Sequence, residues 1–167
     1  AITPLATLVK IGLGRGFQVT QSPAWGEDPG GQLVIAGADE VNAAALAWLQ
    51  RQRDMPYFAW VHYYDAHAPY DAPGADAAAR YAGEVGAVDR ELGRLFAALP
   101  GGAQAPLIAA VGDHGESLGE HGEHGHGLFL YGTVLRVPLL LAGPGVPAGR
   151  VVDETVATRR LAATLLR

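Results

Sequence analysis

Residues 112–127 hold Asp113, Glu116, Glu120 and Glu123 together with four of the chain's six histidines, His114, His121, His124 and His126. Glycine recurs there too often for a stable helix, at a cost of about 1 kcal/mol per helical position, so the stretch is expected to be a loop. Carboxylate oxygen and imidazole nitrogen are a usual donor pair for a divalent cation, which makes Asp113 and His114 candidate metal ligands. A second polar cluster, containing Asp65, His67 and Tyr70, follows an aromatic run. Ser117 is rejected as a nucleophile because no strand-to-helix elbow of the Gly-x-Ser-x-Gly kind surrounds it. More blandly, glycine-histidine loops are often just solvated. Glu116, Glu120 and Glu123 are read as facing water or bracing the loop, and His62, inside the aromatic run, as a hydrogen-bonded core histidine.

These side chains need elements to position them. Residues 106–111 form a short apolar run of buried-strand length, residues 57–64 are aromatic and β-branched, and residues 137–142 give a third short strand. If the first two lie side by side and parallel, His67 and Asp113 face one crevice, because open α/β sheets bind ligands beyond the carboxyl ends of their strands. Between the clusters Tyr81, Val85, Val88, Leu92, Leu95 and Leu99 step by four and three, which predicts a helix from about residue 76 to 99. Strand, helix and strand in succession make the crossover unit of a parallel sheet. The expected fold class is therefore α/β, a mixed, largely parallel sheet flanked by helices, with residues 1–37 as an irregular lead-in and 38–167 as the α/β core of a single, partial domain.

Finer expectations attach to the helices. Asp39 caps one whose inward face is Val41, Ala45, Trp48 and Leu49, ending before Pro56. On the long helix Arg80 and Glu84 pair for about 0.3 kcal/mol, Asp89 and Glu91 are surface charges, and Gly83 and Gly86 mark close approach of a neighbour. Residues 155–166 form a last helix packed by Val156, Leu161, Leu165 and Leu166. Pro29, Gly30 and Gly31 belong to the connecting lead-in.

Composition narrows the function. A net charge of −5 with no basic cluster argues against a nucleic-acid surface, since nothing would release counterions from a phosphate backbone. No apolar run is long enough to span a membrane. The absence of cysteine removes disulfides, thiolate metal sites and a cysteine nucleophile from these residues, without deciding the compartment.

Four motifs taken together carry a family resemblance. Residues 58–70, ending in His67-Ala68-Pro69-Tyr70, then residues 81–85 with Asp89 and Leu92-Gly93, then residues 112–122 beginning Gly112-Asp113-His114-Gly115-Glu116, then Arg136-Val137-Pro138-Leu139-Leu140, resemble the sulfatase family of the alkaline-phosphatase superfamily in order and approximate spacing. The similarity runs from about Asp39 to Leu166, with Gly12 to Phe17 a weaker match ahead of it. It implies metal-dependent hydrolysis of a sulfate ester by in-line displacement, while relatives act on phosphodiesters or phosphonates or transfer phosphoryl groups. Asp113 and His114 would bind a divalent metal ion, Ca²⁺ or Mg²⁺ favoured over Mn²⁺ or Zn²⁺. His67 would contact the oxyanion or leaving group. His126, the nearest match to a lysine or histidine further along the family's loop, would grip the oxyanion. His121 and His124 match no family role.

The departures shape the expectation. The family's nucleophile, a formylglycine made from cysteine or serine, or a threonine or serine in relatives, lies upstream, and no Cys-x-Pro-x-Arg or Ser-x-Pro-x-Arg occurs here. The chain is expected to be the later part of such a catalytic domain and inactive alone. Ala66 stands where relatives often carry proline, and Arg160 and Ala163 stand where the closing helix commonly has aspartate and proline. The resemblance favours a periplasmic, secreted or membrane-associated setting. Two readings of other classes compete: a non-catalytic metal-binding or interaction domain that lost its nucleophile, and a histidine-rich metal-storage loop.

Overall fold

The computed structural model describes residues 1–23, 26–27, 33–52 and 55–166, so the expectation for Pro29, Gly30 and Gly31 falls outside the described residues. In chain order the elements are α1 (Ala6–Leu8), β1 (Gly26–Glu27), β2 (Leu33–Val34), α2 (Ala38–Gln50), α3 (Ala77–Ala97), β3 (Ile108–Val111), β4 (Ser117–Leu118), β5 (His124–Gly125), α4 (Gly132–Leu135), β6 (Leu139–Ala142) and α5 (Leu161–Leu165). Helices and strands mix, as an α/β chain requires. Every strand ladder among the described residues, however, is antiparallel: β1 with β2, β3 with β6, and β4 with β5.

The largely parallel sheet is thus not what these hydrogen bonds form. A parallel neighbour needs a crossover, usually a helix of some length, whereas the link from β3 to β6 carries the β4–β5 hairpin and, as its one α-helix, the four-residue α4, and returns the chain antiparallel. Among the described residues, parallel pairing is confined to two bridges at Ile2, one to Gln21 and one to Val61. The aromatic run 57–64 becomes no ladder strand. It is held on the Ile2 side, where the Ile2 amide donates to the Trp60 carbonyl and the His62 amide donates to the Ile2 carbonyl, both at 2.9 Å.

The core gathers where α2, α3 and this run meet. Ile2, Ala36, Val41, Ala45 and Leu95 are buried together, with Trp48, Leu49, Val61 and Tyr63 packed against them. The inward face of α2 is the expected one. Its cap is not. Gly37 occupies the cap position, its amide donating to Glu40 Oε2, and the Ala38 amide donates to Asp65 Oδ1 at 2.8 Å. A carboxylate from the end of the aromatic run thus closes the helix, and Asp39 sits in its first turn, where negative charge still suits the helix dipole. The lead-in is also less idle than expected, because Thr3 and Pro4 are fully buried.

Helix α3 is capped by Asp76, whose Oδ1 accepts from the Ala79 amide, and carries the expected stripe from Tyr81 to Leu95, with Leu95 buried, Val85 exposed and Leu99 past the helix end. Glu91 is not a surface charge: its carbonyl and Oε2 accept from Asn42 Nδ2 at 2.6 and 2.9 Å, tying α3 to α2. Nor does Glu84 pair with Arg80, since its Oε1 accepts from the amides of Asp71 and Ala72 at 2.8 and 2.7 Å. Gly83 lies against Ala72, where a Cβ would come within 2.6 Å of the alanine methyl, whereas Gly86 meets only Arg90 of its own helix. The last helix is shorter than expected, with Val156 and Leu166 exposed rather than packed. Among the described residues no helix is long and apolar enough to cross a membrane.

Candidate metal and oxyanion site

β3 delivers Asp113 and His114 to their position, and Gly115 holds them there. The Gly115 amide donates to the Val134 carbonyl at 2.7 Å, and a Cβ at Gly115 would lie 2.0 Å from the Thr133 carbonyl oxygen. Only a residue without a side chain allows the loop to rest this closely on α4. Asp113 Oδ1 accepts from the His114 amide at 2.9 Å, while its carboxylate is 81% exposed. His114 Nδ1 lies 2.9 Å from the Gly115 carbonyl, an acceptor, so that nitrogen donates and Nε2 is left for another partner.

The second cluster arrives from the aromatic run. His67 stacks on Tyr64 with ring centroids 4.3 Å apart, and its Nδ1 lies 2.6 Å from the Ala68 carbonyl. His126 bridges the two clusters: its ring is 5.2 Å from that of His67 and 3.9 Å from that of His114. His67, His114 and His126 therefore share one crevice, with Asp113 Oδ1 3.9 Å from His114 Nε2. The crevice forms although residues 57–64 and β3 do not pair as strands, because the loop between β3 and β6 folds His126 back. His62 lies nearby, its Nδ1 2.9 Å from Thr3 Oγ1 and its ring stacked on Trp60. Burial lowers the His62 pKa, partly opposed by Asp113.

Sequence reasoning understated Glu116 and, though it placed Tyr70 in the second polar cluster, gave that residue no role. The Glu116 side chain is 5% exposed; Oε2 accepts from the Tyr70 hydroxyl at 2.7 Å, and Oε1 lies 3.0 Å from His126 Nδ1. Burial first, then the Glu116 carboxylate, pushes the Tyr70 hydroxyl pKa up, so it stays a donor. No local pattern announces this pairing across 46 residues; only the tertiary fold creates it. Ser117 is buried and its Oγ donates to the Glu123 carbonyl at 3.0 Å, so it is engaged in holding the loop. His121 stacks on Tyr131 at 4.2 Å, and His124 lies under Gly119.

Asp113 and His114 suit two positions of a divalent cation's oxygen and nitrogen shell, offering an exposed carboxylate and a free Nε2. Among the described residues no three histidine, aspartate or glutamate side chains converge closely enough to hold a metal ion by themselves, so the remaining donors would come from elsewhere. A cavity of about 340 Å³ lies by Lys10, Arg15 and Phe17, but none of its lining residues belongs to the histidine crevice, which is the better candidate on chemistry.

Comparison with known proteins bears on the sequence that carries this site. A protein of Formosa agariphila named Sulfatase is 39% identical over 82 residues, covering 47% of this chain and 16% of that protein. No solved structure matches. The sequence profile of the sulfatase family matches residues 35–167, a stretch that includes α2, α3 and all the histidines described above, and the chain belongs to the sulfatase family.

Proposed function

We propose that the chain supplies the metal-ligand and oxyanion-binding part of a sulfuric ester hydrolase. The observation that carries this reading is the meeting of His67, His126 and His114 in one crevice beside Asp113, in a chain of the sulfatase family. Asp113 and His114 hold a divalent cation, Ca²⁺ or Mg²⁺ before Mn²⁺ or Zn²⁺. When bound, that ion neutralises charge on the transferring group and lowers the pKa of a nucleophile. As charged, doubly protonated rings, His67 and His126 donate Nε2–H bonds to the sulfate oxygens and to the leaving oxygen, stabilising charge where it grows. The Ala68 carbonyl engages His67 Nδ1 and so leaves Nε2 as the nitrogen that meets substrate. The nucleophile lies outside these 167 residues, which are inactive by themselves. The family resemblance extends the proposal to a periplasmic, secreted or membrane-associated setting.

The donor set suits any tetrahedral oxyanion, so the test runs an aryl sulfate and an aryl phosphodiester side by side. In the metal-loaded full-length protein that contains these residues, Asp113→Asn is expected to remove bound metal and turnover together. The loss should exceed the roughly 10–100-fold that follows from disturbing a mere outer partner of a metal ligand. Turnover retained at full metal content would refute the assignment, and a preference for the diester would move the substrate from sulfate to phosphate.

A further inference from the structure

Glu116 is a nearly buried carboxylate with both oxygens engaged, and the proposed chemistry gives it no task. Its side chain is 5% exposed, one oxygen taken by Tyr70 and the other facing His126. Tyr70 is itself fixed against α3, its ring edge-on to Tyr81 at 5.5 Å. We infer that Glu116, anchored by Tyr70, is the positioning residue of His126: it orients the ring and holds a hydrogen on Nδ1, so that Nε2 is the nitrogen turned to substrate and donates to it when the ring is doubly protonated. This rests on the reading of His126 as an oxyanion contact.

The geometry leaves little freedom. A carboxylate can only accept, so the nitrogen 3.0 Å from Oε1 must carry a hydrogen, whether the ring is neutral or charged. A ring bonded at one nitrogen to a buried group keeps one plane, and His126 then stands between His67 and His114 at fixed separations. Such support matters because His126 rides on a loop where Gly125 and Gly127 flank it in left-handed conformations, and the backbone alone would not hold it. Tyr70 matters in turn because its hydroxyl satisfies Oε2, which would otherwise be buried without a partner. The two clusters far apart in sequence are therefore linked through one carboxylate as well as facing one crevice.

Nitrogen-15 correlation spectra of the His126 ring, recorded as a pH series, test this directly. The neutral wild-type ring is expected to be protonated at Nδ1, the minority tautomer of free histidine. Glu116→Ala should return it to a mixture dominated by Nε2–H. Glu116→Gln, whose amide oxygen can still accept, should keep Nδ1–H. In aryl sulfate hydrolysis Glu116→Ala should lower kcat about 10–100-fold with little change in KM, with Glu116→Gln recovering most of the loss. A wild-type ring protonated on Nε2 alone overturns the inference whatever the variants do, including a Glu116→Ala protein that does not fold. An Nδ1–H ring in a full-length wild-type protein that hydrolyses neither sulfate nor phosphate ester supports the positioning while overturning the hydrolase reading.

Discussion

The α2–α3 interface and the loop from Gly112 to Gly127 are held by opposite means. At the interface Val41 and Ala45 are fully buried and Leu95 nearly so, with one polar tie from Asn42 to Glu91. In the loop carboxylates hold backbone and side chains: Glu116 takes Tyr70 and faces His126, Glu120 takes the Leu118 amide, and Glu123 takes the Phe129 amide. Apolar burial supplies stability without direction, whereas hydrogen bonds supply direction at a modest net gain of about 1 kcal/mol each. Apolar burial thus holds the interface together, and carboxylates hold the loop that carries four of the histidines.

Two substitutions should separate these roles. Leu95→Ala empties a site that is 6% exposed, and the expected cost is about 2–5 kcal/mol in denaturant unfolding. Ring resonances of His114 and His126 should move little. Gly115→Ala drives a methyl into the Thr133 carbonyl, which cannot yield as a flexible side chain would. Its expected cost is smaller, about 1–3 kcal/mol, but the resonances of His114 and His126 should shift clearly as the loop lifts from α4. If Leu95→Ala disturbs the histidine rings as much as Gly115→Ala does, the division between a stabilising and an aiming region fails.

The same division explains what the sequence revealed. The faces of α2 and α3 were legible because apolar spacing of three and four is a local signal, and Val41, Ala45 and Leu95 follow it into the core. The convergence of His67 with the Asp113 loop could be anticipated from where the polar clusters sit. The strand pairing offered as its cause could not, because an apolar run reports burial and not the direction of its neighbour. The cap of α2 and the partners of Glu84, Glu91 and Glu116 were misread for a related reason. Each rests on a carboxylate whose hydrogen-bond donor lies on another element, whereas the local sequence offers only water or a near neighbour as its partner. Ile2 and Thr3 escaped notice because two or three residues are too few to show a period.

The smallest expected effect lies at the border of the two regions, in His62. Its ring stacks on Trp60 and its Nδ1 meets Thr3 Oγ1 on the core side, while Asp113 acts on it from the loop side. Burial lowers its pKa below the ordinary 6.5, and Asp113 opposes that shift without cancelling it. In the unfolded chain the ring takes a proton near 6.5, in the folded chain only at lower pH, so just below 6.5 the unfolded state binds more protons. The contribution of neutral His62 is therefore complete above that value and is lost as pH falls through the folded pKa. Unfolding midpoints in urea should decline on the acid side of this window, and the decline should begin in the same place but deepen in Asp113→Asn, which removes the opposing charge. If Asp113→Asn leaves the acid-side decline unchanged, the loop and the core are electrostatically independent at His62, and the border between the two regions is sharper than the geometry indicates.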